Sequence, residues 1–204
     1  MKRIVILAGV LAVVVGTALG QDDEGFRPMK GSATPEFESS NAKGDRCLVF
    51  GKNVVKTKLG DVGEEIRLWH REGTAKGTEA CSPRAKPYAI IADEDNNSFY
   101  GISAVYFFVD QGTSSGSRTL VVYKTGAGDE VTRVDYFGGG ESPRIEAARY
   151  LYYDVLSNKK GTVCKEAAKW KRDGGSVGWV QGKKMDLDDQ TIANVGMLHC
   201  AYVE

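Results

Sequence analysis

The chain has 204 residues, with 27 Lys and Arg against 27 Asp and Glu. Basic and acidic residues are interspersed throughout, so no basic stripe is offered to a phosphate backbone, and nucleic acid is excluded as a partner. A length of this order suits one domain, and four cysteines bear on the compartment in which it works.

Met1 to Gly20 reads as a secretory signal peptide. Lys2 and Arg3 open it, Ile4 to Val15 is an almost unbroken apolar run, and Ala18 and Gly20 form a small-x-small end with cleavage expected before Gln21. The apolar run is about a dozen residues, short of the roughly 20 that span a bilayer. The expectation is therefore release, with no membrane association after cleavage, into the periplasm or outside the cell. Gln21 to Arg46 carries scattered Gly, Pro, Ser and acidic residues with isolated apolar ones, and reads as a flexible leader. A single β-rich domain is expected over 47–204.

Cys47-Leu-Val-Phe50 and Asn53-Val-Val-Lys-Thr57 flank Gly51 as two short strands, and Glu64 to Arg71 alternates Ile66, Leu68 and His70 with charged neighbours as a half-buried strand does. Thr74 to Pro87 is a loop, Tyr88 to Ala92 a further strand, and Asp93 to Asn97 a polar turn. From Ser103 to Gly138 come two runs rich in Val, Tyr and Phe, separated by Gly112 to Ser117, then the alternating run Val131 to Phe137. This is the pattern of an antiparallel meander. Ser103 to Val109 is apolar on both faces, which predicts an interior strand covered on both sides. Thr132, Val134 and Tyr136 alternate with Arg133 and Asp135, as in a sheet edge. Asp129 with Arg133, or Glu130 with Lys124, are expected cross-strand charge pairs.

Farther on, Tyr150 to Val155 fits either helix or strand by spacing, and its aromatic content favours strand. A helix is predicted over Thr162 to Arg172, capped by Thr162 and stopped by Gly174. Short strands near Lys183–Leu187 and Met197–Val203 close the chain. The fold class that follows is mainly β, an antiparallel sandwich or half-open barrel with one short helix near 162–172. Four cysteines in an exported chain imply two disulfides, and of three connectivities, proximity along the chain favours Cys47 with Cys81 and Cys164 with Cys200. No C-x-x-C or H-x-x-x-H spacing supports a metal site, and no cofactor motif is present.

Several motifs have to be weighed. Gly112-Thr-Ser114-Ser-Gly116 matches the G-x-S-x-G nucleophile elbow of serine hydrolases, but that elbow joins a strand to a helix, and here a strand follows. Asp93 to Ser98 starts like a calcium loop, yet Ser98 stands where glycine is needed and Ala104 where the bidentate acid should be. His70 and His199 are the only histidines, and Asp186, Asp188 and Asp189 form an acidic cluster that suits a solvated turn.

The run Phe108 to Leu120, with Cys164, Trp170 and Cys200, resembles a group of small exported bacterial proteins of unassigned activity. Its Ser- and Gly-rich hairpin is distantly similar to the loop by which periplasmic lysozyme inhibitors enter the lysozyme cleft. That resemblance implies an exported protein-binding module, an inhibitor of a cell-wall glycosidase; the apolar strands fix the hairpin register and present Thr113, Ser114, Ser115, Ser117 and Arg118 as its binding residues, against the plainer reading that the Gly and Ser residues only make the turn. The alternative from another class is a secreted hydrolase using Asp110, His70 or His199.

Overall fold

The computed structural model describes residues 25–114 and 116–203. The signal peptide expected at 1–20 lies outside the described residues, as does Ser115. Over the described residues the fold is mainly β, built from three antiparallel sheets with no closed barrel and two short helices. Each sheet is a meander of consecutive strands, as alternating patterns broken by Gly- and Asn-rich turns dictate. Sheet I contains β1 (Phe37–Ser40), β2 (Arg46–Phe50), β3 (Asn53–Leu59), β4 (Glu64–His70) and β5 (Ala89–Ile91), in that order. Sheet II contains β6 (Asn97–Ile102), β7 (Tyr106–Gln111), β8 (Ser117–Lys124) and β9 (Glu130–Phe137). Sheet III contains β10 (Arg144–Glu146), β11 (Tyr150–Leu156), β12 (Ser176–Asp186) and β13 (Ile192–Val203).

Sheet II is the middle layer. Successive strand residues point to opposite faces, so Phe107, Val109, Val121 and Tyr123 pack with Leu48, Val55, Ile66 and Leu68 of sheet I. Tyr106, Phe108, Leu120, Val122 and Val134 pack with Ile145, Leu151 and Met185 of sheet III. The interior strand covered on both sides is thus observed, although it starts at Tyr106: Ser103 makes a turn, its Oγ accepting the Tyr106 N–H at 3.0 Å. β9 is the edge of its sheet, with Val134 and Tyr136 buried and Arg133 and Asp135 exposed. Arg133 pairs with Glu130, three residues back on its own strand, rather than with Asp129, and Glu130 does not pair with Lys124.

The segment read as a flexible leader is, from residue 25 on, part of the fold. Phe37–Ser40 pairs with β2, Phe26 stacks on Phe99 with centroids 5.4 Å apart, and Met29 is buried. The Met29 and Ala33 N–H groups donate to Tyr100 and Ile102 of β6 at 2.7 Å, while Lys30 C=O accepts from Ile145 N–H of β10 at 3.0 Å. β6 and β10 are open edges, so the segment satisfies backbone groups of two sheets at once. Gly31 makes this possible: its φ is +84°, and a Cβ there would lie 1.9 Å from the Ile145 carbonyl oxygen. Composition is silent on such a role, because backbone groups make the contacts.

Other expectations are corrected. The helix of the 162–172 region is only α2 (Ala167–Arg172), with Glu166 ahead of it and no capping by Thr162, and it buries no residue. Trp170 packs edge-on against Tyr202, but Thr162 and Val163 are exposed, so an earlier turn would gain no packing. The loop 74–87 contains a second helix, α1 (Gly77–Ala80). β6 and β10 are strands that the apolar pattern did not mark, and β12 and β13 extend well beyond 183–187 and 197–203. Gly178, Gly182 and Gly196 interrupt the alternation there, while cross-strand hydrogen bonds maintain the hairpin.

Both disulfides form as expected, Cys47–Cys81 and Cys164–Cys200, with Cα separations of 6.0 and 5.8 Å. They indicate an oxidising, non-cytoplasmic compartment. Among the described residues no helix is long and apolar enough to cross a membrane.

Phe107 and Phe108 are neighbours in sequence that fill different cores. Phe107→Ala and Phe108→Ala should each lower the unfolding free energy by about 3–5 kcal/mol in denaturant titrations. A sheet covered on one face would tolerate one of the two, so near-neutral behaviour of either contradicts the layered core.

Candidate functional site

The β7–β8 hairpin leaves the middle layer where its core ends. Gly112 turns the chain with φ +108°, and Thr113, Ser114 and Ser117 are exposed. At the tip, Gly116 C=O accepts from Gly138 N–H at 2.7 Å, which ties the hairpin to the turn after β9.

Beneath the tip is a buried polar brace. Asp110, Arg118 and Tyr136 share the face of sheet II that looks towards sheet III, since Arg118 is the cross-strand partner of Tyr136 and Asp110 that of Leu120. The Arg118 guanidinium grips Asp110 through two nitrogens: Nε donates to Oδ1 at 3.2 Å, and Nη2 donates to Oδ2. The Tyr136 hydroxyl donates to the same Oδ1 at 2.9 Å. Asp110 is 8% exposed and Arg118 22%. Burial, then the adjacent Asp110 charge, push the Tyr136 hydroxyl above its ordinary value. The Arg118 stem runs under the Gly-rich turn, where a Cβ on Gly138 would come within 2.7 Å of its Cδ.

Of the five residues suggested by sequence, the structure exposes three hydroxyls at the tip and turns the fourth described residue, Arg118, inward as an anchor. Ser115 lies outside the described residues. Asp110, which sequence offered only to a hydrolase and which is here buried and held by Arg118 and Tyr136, and Tyr136, which sequence did not single out, support the tip. Only the burial of an aspartate in an otherwise apolar strand could have signalled them. A shallow cavity of about 180 Å³ lies beside the hairpin base, lined by Ser117, Asp135, Tyr136, Phe137, Val155 and Leu156.

The remaining candidates do not converge. Ser114 sits between two strands, its Oγ 3.5 Å from Ser117 C=O. His70 is exposed on sheet I against Tyr88, with ring centroids 4.7 Å apart, and His199 is exposed on sheet III. The middle layer lies between those two sheets. Asp93–Asn97 forms a turn with positive φ at Asp95 and Asn96, closed by Asn97 Nδ2 donating to Ala92 C=O. The acidic cluster is an anchor too: Asp186 and Asp188 both hold Arg149, and Tyr106 of sheet II donates to Asp188 at 3.0 Å. Hydrogen bonding to Arg149 holds the Asp186 carboxyl below the usual range.

No family model, no curated protein and no solved structure matches the chain.

Arg118→Ala leaves the Asp110 carboxylate buried without its counter-ion and should cost about 3 kcal/mol of stability or more, whereas Ser114→Ala should stay within about 0.5 kcal/mol. Equal effects in thermal or denaturant melts would rule out the brace. In alkali, burial pushes the Tyr88 hydroxyl up to about 12. An unfolded tyrosine ionises near its ordinary value of 10.0, so the unfolded state loses its proton first as pH rises. Stability should be full below pH 10 and decline between about pH 10 and 12. Ultraviolet titration of tyrosinate, compared with Tyr88→Phe, checks this.

Proposed function

We propose that this is an exported binding protein of the periplasm or extracellular space, and that it acts through the tip of the β7–β8 hairpin on the cleft of a cell-wall glycosidase. The observation that supports this reading most is the Asp110–Arg118–Tyr136 brace. A simple turn does not require a buried ion pair, and a tip fixed from below loses little freedom when it enters a cleft. The chemistry of the tip fits that target. Thr113, Ser114 and Ser117 present hydroxyls that both donate and accept, as sugar hydroxyls do, so the tip can occupy hydrogen-bonding positions built for a glycan. With the Arg118 charge matched internally, recognition falls to these hydroxyls and the neighbouring backbone.

The test is inhibition of lysozyme on cell-wall substrate, with direct measurement of the complex. Each hydroxyl hydrogen bond contributes about 0.5–1.5 kcal/mol, so the triple variant Thr113→Ala, Ser114→Ala, Ser117→Ala should bind at least tenfold more weakly while melting like the wild type. Absence of a complex, or a triple variant as potent as the wild type, overturns the proposal.

A further inference from the structure

On the outer face of sheet I, away from the hairpin, there is a concavity of about 550 Å³, within the range of small-molecule sites. The strand register shows how it is built. One row of cross-strand partners is Phe37, Val49, Val54 and Trp69, apolar and packed with Ala80 and Cys81 of the disulfide-bonded loop. The next row is Ser39, Cys47, Lys56 and Arg67, and contains no acid. The hollow begins where the loop stops, so it has an apolar wall and a charged floor on which Arg46, Lys56, Lys58 and Arg67 outnumber Asp45 and Glu65.

Lys56 and Arg67 stand directly opposite each other on β3 and β4. Like charges in that relation oppose folding, and the open face would accept a neutral residue at either position. Arg67 is answered by Glu65 at 2.8 Å. Lys56 is exposed and, among the described residues, makes no ion pair or side-chain hydrogen bond. Asp45, which also lines the hollow two residues before the Lys56 partner Cys47, is engaged by Asn41 Nδ2 at 2.9 Å. Both ends are rigid: one is pinned by Cys47–Cys81, the other by Asn41, whose Oδ1 accepts from Lys43 and Asp45 N–H at 2.8 and 3.1 Å.

We propose that this hollow is a second binding site, for a short acidic saccharide. A carboxylate would meet Lys56, with Arg67 beside it; the sugar hydroxyls would meet Ser39 and Asn41; and an apolar sugar edge would lie against Trp69 and the disulfide. The volume, the hydroxyl and amide rim and the unmatched cation together favour a small sugar acid over a protein chain. This site is independent of the hairpin reading and stands or falls separately.

The experiment titrates trigalacturonate into the full oxidised protein, following tryptophan fluorescence and amide chemical shifts. Maltotriose and triglutamate serve as neutral and peptide controls. Saturable shifts centred on Lys56 and Trp69 with trigalacturonate alone are expected, weakened about tenfold by Lys56→Ala and unchanged by the triple hairpin variant. Lys56→Ala removes a like-charge neighbour of Arg67, so it should melt no lower than the wild type, and weakened binding can then be assigned to the lost cation. Equal binding of maltotriose overturns the charge-based reading, and equal binding of triglutamate overturns the saccharide. No response to trigalacturonate at millimolar concentration overturns the site.

Discussion

Burial of both faces of sheet II is the constraint on which the other elements depend. Phe107, Phe108, Val109, Leu120, Val121 and Val122 are all fully buried, so β7 and β8 cannot tolerate solvent on either side. At roughly 25 cal/mol per Å² of apolar area removed from water, covering only one face would forgo about half of this driving force. Sheets I and III are the two covers, and each is itself a one-sided sheet whose outer face carries most of its charge. Sheet I departs from this at one end, where Phe37, Val49, Val54 and Trp69 form a small third cluster under the loop that Cys81 ties to Cys47. There the disulfide holds a lid over apolar side chains too few to retain one by packing alone.

Layers held by apolar contact could slide, since hydrophobic burial has no direction. Polar contacts across the layers fix their position. Tyr106 reaches from sheet II to Asp188 in the β12–β13 turn, where Arg149 gathers Asp186 and Asp188. Glu64 of sheet I accepts the Phe99 N–H of sheet II at 2.9 Å. The Asp110–Arg118–Tyr136 brace belongs to the same class, though its three members lie within one sheet and so orient a hairpin instead of a layer interface. An ion pair of this kind contributes little net stability against apolar residues of equal volume. Its effect is geometric: it fixes the base of an exposed hairpin.

Edges are treated differently around the molecule. The open sides of β6 and β10 are stapled together by residues 29–33, and the edge strand β9 carries Glu130, Arg133 and Asp135. β1 and β5 are only four and three residues long. β13 is a long edge without a charged residue, and it is interrupted by a register shift near Gly196, which bends the strand away from flat pairing. Short, charged, stapled or bulged, each edge resists indiscriminate strand addition.

The sequence by itself determined the β class, the β7–β8–β9 hairpin pattern of the middle sheet, the two-faced burial of β7 and the position of the exposed tip, and it favoured one of three disulfide pairings, which the structure shows. Period-two alternation, glycine turns and cysteine placement are local signals, and they survive without knowledge of the partners. Tertiary structure alone decided the rest. Residues 29–33 became a staple because two edges had free backbone groups within reach, and a lone apolar residue such as Met29, here buried in the core, does not record that. The helix is limited to Ala167–Arg172, which docks through Trp170, edge-on against Tyr202, and buries no residue fully. Arg118 turned inward because Asp110 and Tyr136, 8 and 18 positions away, are brought to the same face by strand register, and Lys56 came to stand unmatched beside Arg67 for the same reason. Charge on a sequence says only that a group is ionised; whether it braces the fold or awaits a ligand depends on what pairing across strands puts next to it.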